Sequence, residues 1–295
     1  MRIGYPCNNL TLGISAARTF RLATYSPERL LNTIDANLDA LDAYLAWNAE
    51  HDIRYFRISS GTVPFASHPV MDVPWQRLRG DRLARIGETL RTNGVRVNVH
   101  PGQYTLINSP RAEVVAAAVA ELMYHADLLD GMGLDDTNKV QIHVGGVYGD
   151  KPAAIDRFVE RWERLPARVK ARLVIENDER HFDLADALEI HRRISIPVLF
   201  DSFHHSLKNH GESLAEALDL STATWRGHGP AMLDYSSQDT TKRPGAHTTS
   251  IDLDDFAHFL SAVADRDVDV MLEIKDKERS ALRAIDFMRG HPSDA

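Results

Sequence analysis

Apolar residues in this chain follow two rhythms. Short runs place β-branched or aliphatic residues at every second position, and between them apolar residues recur at every third or fourth. The short runs read as strands: "RIGY" near the start, "YFRIS" (55–59), "VRVNV" (95–99), "KVQIHV" (139–144), "RLVIE" (172–176), "PVLFD" (197–201), "AMLDY" (231–235) and "VDVMLEI" (268–274). The longer rhythm predicts helices. One covers about 110–130 and carries Val115, Val119, Leu122, Ala126 and Leu129 on one face. Ser109 is its expected N-cap, Pro110 its first residue, and Gly131 and Gly133 lie beyond its end. Another begins at Ser26 and Pro27 in the same way. Eight strands alternating with about eight helices predict an α/β protein of the (β/α)8 TIM-barrel type. A doubly wound sheet is the competing architecture, but no glycine fingerprint follows the first strand. No linker-like or low-complexity stretch breaks the alternation, so residues 1–295 are expected to form a single domain.

A barrel gives strand phase a meaning, because residues facing the helices alternate with residues facing the interior. With the aliphatic set outward, His100, His143, Glu176, Asp201, Asp234 and Glu273 all turn inward. They stand at or near the C-terminal ends of the third to the eighth strands, where barrel enzymes build their sites. One strand-end histidine or carboxylate is usually an ordinary hydrogen-bonded group, but six in phase are not explained that way. Four carboxylates packed together resist ionisation unless cations neutralise them, and metal ions with imidazole ligands meet that need. His204, three residues after Asp201, and His68 and His247 on loops are further candidate ligands. His181, His191, His210 and His228 lack the phasing and suit surface or capping roles. Met232 shares Asp234's phase but carries no charge, so it is assigned to the barrel lining.

Charge and cysteine content narrow the classes. The formal net charge is −8, which gives no general polyanion-binding surface but leaves room for a local positive site once metal charges are counted. The single cysteine, Cys7, excludes an intramolecular disulfide framework and is most simply a small packed residue. No apolar run approaches the ~20 residues of a membrane span, and "MRIGYPCNN" lacks the apolar core of a signal peptide. A soluble, cytoplasmic protein is expected. After His100, Pro101 and Gly102 predict a tight protruding turn that presents Gln103 and Tyr104. An amide beside an aromatic ring suits stacking on nucleic-acid bases, although residue types alone favour an ordinary loop.

A series of blocks in order then bears on that choice: "GYPCNNLTLG", "FRISS", "ASHP", "HPGQYTLINSP", "YHADLLDGMG", "QIHVGGVYGDK", "LVIENDE", "PVLFDSFHH", "YSSQ", "PGAHTTSI" and "LEIKDKERSAL". From about Arg2 to about Leu282 the chain resembles the UV damage endonuclease family, itself similar in fold to endonuclease IV. The resemblance implies a DNA repair enzyme that nicks immediately 5′ to cyclobutane dimers and 6-4 products, and also at some other lesions including abasic sites. It implies two or three divalent ions, commonly manganese, with Mg²⁺, Zn²⁺ or Co²⁺ as alternatives. The implied ligands are His68, His100, His143, Glu176, Asp201, His204, His247 and Glu273, with Glu176, Glu273 and His143 as the catalytic set. Gln103 and Tyr104 match residues that probe the lesion, and Tyr5 and Asn9 match residues at the substrate groove. The chain departs from the family at Met232-Leu233-Asp234, where a Lys-x-His is common, and Asp234 is expected to ligate metal in place of the histidine.

Divalent ions bridging a phosphodiester would activate water and leave a 3′-hydroxyl and a 5′-phosphate. The expected partner is UV-damaged double-stranded DNA, with no membrane, and the protein is expected to act as a monomer. Three rival readings share parts of the pattern: a metal-dependent sugar isomerase on the same barrel, an abasic-site endonuclease, and a damage-binding module without catalysis.

Overall fold

The computed structural model describes residues 1–290. Strands β1 (Arg2–Pro6), β2 (Tyr55–Ile58), β3 (Arg96–Val99), β4 (Lys139–His143), β5 (Leu173–Glu176), β6 (Val198–Asp201), β7 (Ala231–Tyr235) and β8 (Val268–Leu272) pair in chain order into a closed barrel. Every pairing is parallel, and β8 returns to β1. This is the TIM barrel that the alternation predicts, with strand bounds within a residue or two of the sequence reading. The register aligns His143 with Glu176 and Asp201 with Asp234, so inward polar groups of neighbouring strands lie side by side at one end.

Outward strand residues pack on the surrounding helices. Tyr5 and Phe56 meet edge to face at 5.2 Å, and Tyr44 of the Pro27–Glu50 helix approaches Phe56 at 6.1 Å. That helix starts as expected: Ser26 Oγ accepts from Arg29 N at 3.2 Å, and Pro27 occupies the first position. The second predicted helix differs. It runs Ala112–Gly131, because Arg111 keeps an extended backbone (φ −92°, ψ 122°) and occupies the cap position. Ser109 Oγ instead accepts from Arg111 N at 3.3 Å, so it shapes the turn before the helix. Gly131 is the last helical residue, and Gly133 (φ 63°) makes the turn that follows.

Close packing is most demanding at Gly87, in the Gly80–Thr92 helix. A Cβ there would lie 1.6 Å from the Met132 carbonyl oxygen. The N-terminal end of the barrel is closed by charge. Arg2 and Arg96 each bond Asp269 at 2.9 Å, while the buried Lys139 donates to the Ala171 carbonyl at 2.9 Å and lies 3.3 Å from His228 Nδ1. This leaves the C-terminal end as the barrel's chemically open mouth.

Candidate metal centre

At the mouth, side chains from successive strands converge. Ligand-type atoms form three trios, each within 4.8 Å: His100, His143 and Glu176; then Glu176, Asp201 and His204; then Asp201, Asp234 and Glu273. Glu176 belongs to the first two trios and Asp201 to the last two, so shared carboxylates link the trios in a chain. Around Glu176, His100 Nε2 is 3.3 Å and His143 Nε2 3.7 Å from Oε2, while His204 Nδ1 is 3.2 Å from Oε1. All six residues placed inward by strand phase therefore meet, and His204 joins them from the short helix Ser202–Leu207.

Local structure fixes these side chains. Asp201 Oδ1 caps the Ser202–Leu207 helix by accepting from His204 N at 2.8 Å, which leaves Oδ2 facing the cluster. Asn177 ties the same corner together: its side chain exchanges bonds with the Asp201 backbone, and its carbonyl lies 3.0 Å from His204 Nδ1. Asp201 Oδ2 and His143 Nδ1 are buried without a hydrogen-bond partner, and buried polar atoms of this kind need explanation. Four gathered carboxylates with imidazoles beside them form a donor set suited to hard or borderline divalent cations.

The electrostatics are strongly coupled. Burial alone would raise the Glu176 carboxyl, but His143, His100 and His204 hold it well below the usual range. Burial, with the charges of Glu176 and Glu273, pushes Asp201 up to about 7 against the pull of His204. Burial opposes charge on His204 too, yet Asp201, Glu176 and Glu179 push its imidazole up to about 11. Burial lowers His100. Protons and metal ions would compete for this set.

Beneath the trios lies a polar layer that the strand reading passed over. Arg57 on β2, only 4% exposed in its side chain, donates through Nη2 to both Asp234 oxygens and to Gln141 Oε1, each at 2.8 Å. Its Nη1 bonds Glu273. Gln141 Nε2 donates to Glu176 Oε2 and Asp234 Oδ2, both at 2.6 Å, and Asn98 donates to Gln141 Oε1 at 3.0 Å. Asp234 is thus inward, as its phase requires, and its carboxylate, a member of the third trio, is bonded by Arg57 and Gln141. Burial and the charges of Glu273, Glu176 and Asp201 push the Asp234 carboxyl up, and Arg57 opposes them. The same guanidinium overcomes burial at Glu273 and lowers it to about 2. Met232 is fully buried as barrel lining.

The loop candidates divide. His247 Nδ1 lies 2.8 Å from the Glu273 carbonyl, and its ring is 6.4 Å from that of His204, at the edge of the cluster. His68 lies in the segment after β2, where its Nδ1 accepts from Val70 N at 3.0 Å. Neither belongs to the three trios. Gln103 and Tyr104 occupy the centre of a turn closed by Thr105 N to the Gly102 carbonyl at 3.0 Å, and Tyr104 is 79% exposed. Tyr5 and Asn9 do not line an open groove. Both are buried: Tyr5 Oη donates to Asn48 Oδ1 at 2.7 Å and accepts from Asn9 Nδ2 at 3.0 Å, while Asn9 Oδ1 accepts from Leu12 N. Their hydrogen bonds make them supports of the loop after β1. Seven exposed large apolar side chains, Leu10, Ile14, Leu22, Tyr104, Tyr148, Leu207 and Leu220, lie in segments following β1, β3, β4 and β6. Tyr148 keeps a positive φ of 51° and has the Arg157 guanidinium 5.5 Å from its ring centre.

Residues 1–291 match the family model described as UV-endonuclease UvdE. This chain belongs to the UV-endonuclease family. A relative from Clostridium perfringens, named a UV DNA damage endonuclease, is 38% identical over 98% of this chain and 71% of its own length. The crystal structure of SacUVDE superposes with a TM-score of 0.94 at 45% identity, covering 98% of each chain. Endonuclease IV from Thermus thermophilus shares the fold alone, with a TM-score of 0.59 at 15% identity over 87% of this chain and 95% of its own. No helix among the described residues is long and apolar enough to cross a membrane.

Proposed function

We propose that this member of the UV-endonuclease family is a divalent-metal-dependent DNA repair endonuclease, with manganese as its working ion. It nicks one strand immediately 5′ to cyclobutane dimers and 6-4 products, and also incises at abasic sites. The observation that carries this reading is the chain of trios linked through Glu176 and Asp201 at the barrel mouth. His100, His143 and Glu176 would hold one ion, and Glu176, Asp201 and His204 a second, with His68, His247 and Glu273 completing the shells.

Bound ions supply Lewis-acid polarisation of the phosphodiester and a lowered pKa for water. The chain supplies the rest. Glu176 carries negative charge between both trios and, with Gln141 donating to it, keeps one orientation. Arg57 holds Glu273 ionised and in place. His143, at 33% exposure the most open of the imidazoles around Glu176, stands where a phosphate entering the mouth arrives first. Gln103 and Tyr104, on the exposed turn directly after His100, would act as a wedge. A photodimer is already poorly stacked, so separating it from its neighbours costs less than the few kcal/mol of a normal step. The exposed apolar side chains after β1, β3, β4 and β6 suit contact with bases so displaced.

The test is an end-labelled duplex carrying one defined photoproduct, incubated with Mn²⁺ and with chelator. The expected product is one shortened strand ending in a 3′-hydroxyl just 5′ to the dimer, seen only with metal. A retarded but uncut duplex in Mn²⁺ would indicate a damage-binding module. Incision confined to abasic sites would indicate an abasic-site endonuclease.

A further inference from the structure

We infer that Arg57 is a built-in cation of the centre, paired with Asp234, so that the site holds two divalent ions and not three. The inference rests on the metal-centre reading above and specifies its stoichiometry. Strand register forces the position of Arg57. Phe56 and Ile58, its neighbours on β2, are fully buried residues of the outward phase, so the guanidinium has only the barrel interior to enter. There it meets the third trio. Its Nη2 donates to both oxygens of Asp234 and its Nη1 to Glu273, which are two of the three members of that trio.

Hydrogen bonds already occupy most of the Asp234 carboxylate. Asp234 Oδ2 accepts from Arg57 and from Gln141 Nε2, and Oδ1 accepts from Arg57. Gln141 cannot turn away, because its amide also binds Glu176 and its carbonyl receives both Asn98 and Arg57. A cation added to the Asp201–Asp234–Glu273 trio would compete with these donors and sit beside a fixed positive charge of the same sign. Among the described residues, Glu176 and Asp201 form ion pairs with imidazoles and with no arginine or lysine, and Asp201 Oδ2, which belongs to the cluster, lacks a hydrogen-bond partner. Charge balance agrees. Four carboxylates, one guanidinium and two divalent ions leave a net charge of +1, enough to accept a phosphodiester. Asp234 is then the counter-ion of Arg57, and its side chain positions the ligands without contacting metal.

The experiment is elemental analysis of the intact protein after saturation with Mn²⁺ and removal of free ion, on wild type, Asp234→Asn and Arg57→Lys. Two ions per chain in all three, with Mn²⁺ affinity in Asp234→Asn within about fivefold of wild type, is the expected result. Thermal unfolding of the metal-free proteins supplies a second readout. Asp234→Asn and Arg57→Met should each lower Tm, and the double variant should lower it by less than the sum. Three ions in wild type, or loss of one ion in Asp234→Asn, would overturn the inference and leave the nuclease reading intact. Fewer than two ions in wild type would overturn the shared-carboxylate centre itself. Additive losses of Tm would overturn the pairing of Arg57 with Asp234.

Discussion

Individual residues at the mouth divide into those that hold charge and those that meet substrate, and substitutions should separate the two. Glu176 links two trios and has three imidazoles within 3.7 Å. Glu176→Ala should abolish incision and reduce bound Mn²⁺ by at least one ion per chain, with the far-ultraviolet dichroism of the fold retained. Elemental analysis beside the nicking assay checks both. Tyr104 is 79% exposed and contributes little to the core, so Tyr104→Ala should leave Mn²⁺ content unchanged. Its cost should appear as lost preference for damaged duplex, about tenfold to a hundredfold if the ring stacks on a base with ~1–3 kcal/mol. Competition binding with matched damaged and undamaged duplexes would show this, and equal loss on both would argue against the wedge. Strand phase made His100, His143, Glu176, Asp201, Asp234 and Glu273 legible in the sequence because a two-residue repeat is a rigid geometric rule. The same rule turns Arg57, Asn98 and Gln141 inward, but inside short strands they lack the strand-end position that draws attention to a ligand. Tyr5 and Asn9 are different. Resemblance placed them at a groove, while their hydrogen bonds to Asn48 and Leu12 are long-range or local contacts that no periodicity encodes.

Among the elements, the strands were readable to within a residue or two, and helix ends less so. The Ala112–Gly131 helix starts late because Ser109 bonds Arg111 N two residues on, which favours a turn over a cap. Sequence alone does not choose between those partners. Contact between helices is also invisible to periodicity. Gly87 reads as an ordinary weak helix former, yet it lies so close to the Met132 carbonyl that a Cβ would sit 1.6 Å from the oxygen. Gly87→Ala should therefore destabilise the protein, despite alanine's better helix propensity, by at least the ~1–3 kcal/mol typical of overpacking. Urea unfolding of the metal-free protein measures it. A neutral or stabilising result would mean that the Gly80–Thr92 helix shifts freely on its neighbour.

Over the whole molecule, the two ends of the barrel handle charge oppositely. The mouth gathers carboxylates that cations can neutralise, whereas the N-terminal end gathers cations, with Arg2 and Arg96 sharing the one carboxylate of Asp269. Lys139 has no carboxylate in that arrangement. Its ammonium donates to the Ala171 carbonyl and faces His228, with Arg96 and Arg172 repelling it and Asp135 and Asp136 attracting it. Burial, the largest influence, lowers it from 10.5 to about 8. The sign follows from proton counting. Between pH 8 and 10.5 the unfolded chain holds a proton at this lysine that the folded chain has released, so stability rises with pH in that window. Below about pH 8 both states are protonated and the full cost of burying the charge remains. The drop in pKa corresponds to at most about 3 kcal/mol. Lys139→Met keeps most of the side chain's length without the charge, so the unfolding free energy of wild type should gain on that of the variant as pH rises from 8 to 10.5. Titrations of the two proteins side by side cancel the tyrosines and arginines they share. A difference that stays flat across the window would mean that the Ala171 carbonyl and the nearby acidic groups stabilise the ammonium fully, and that this end of the barrel carries its charge without cost.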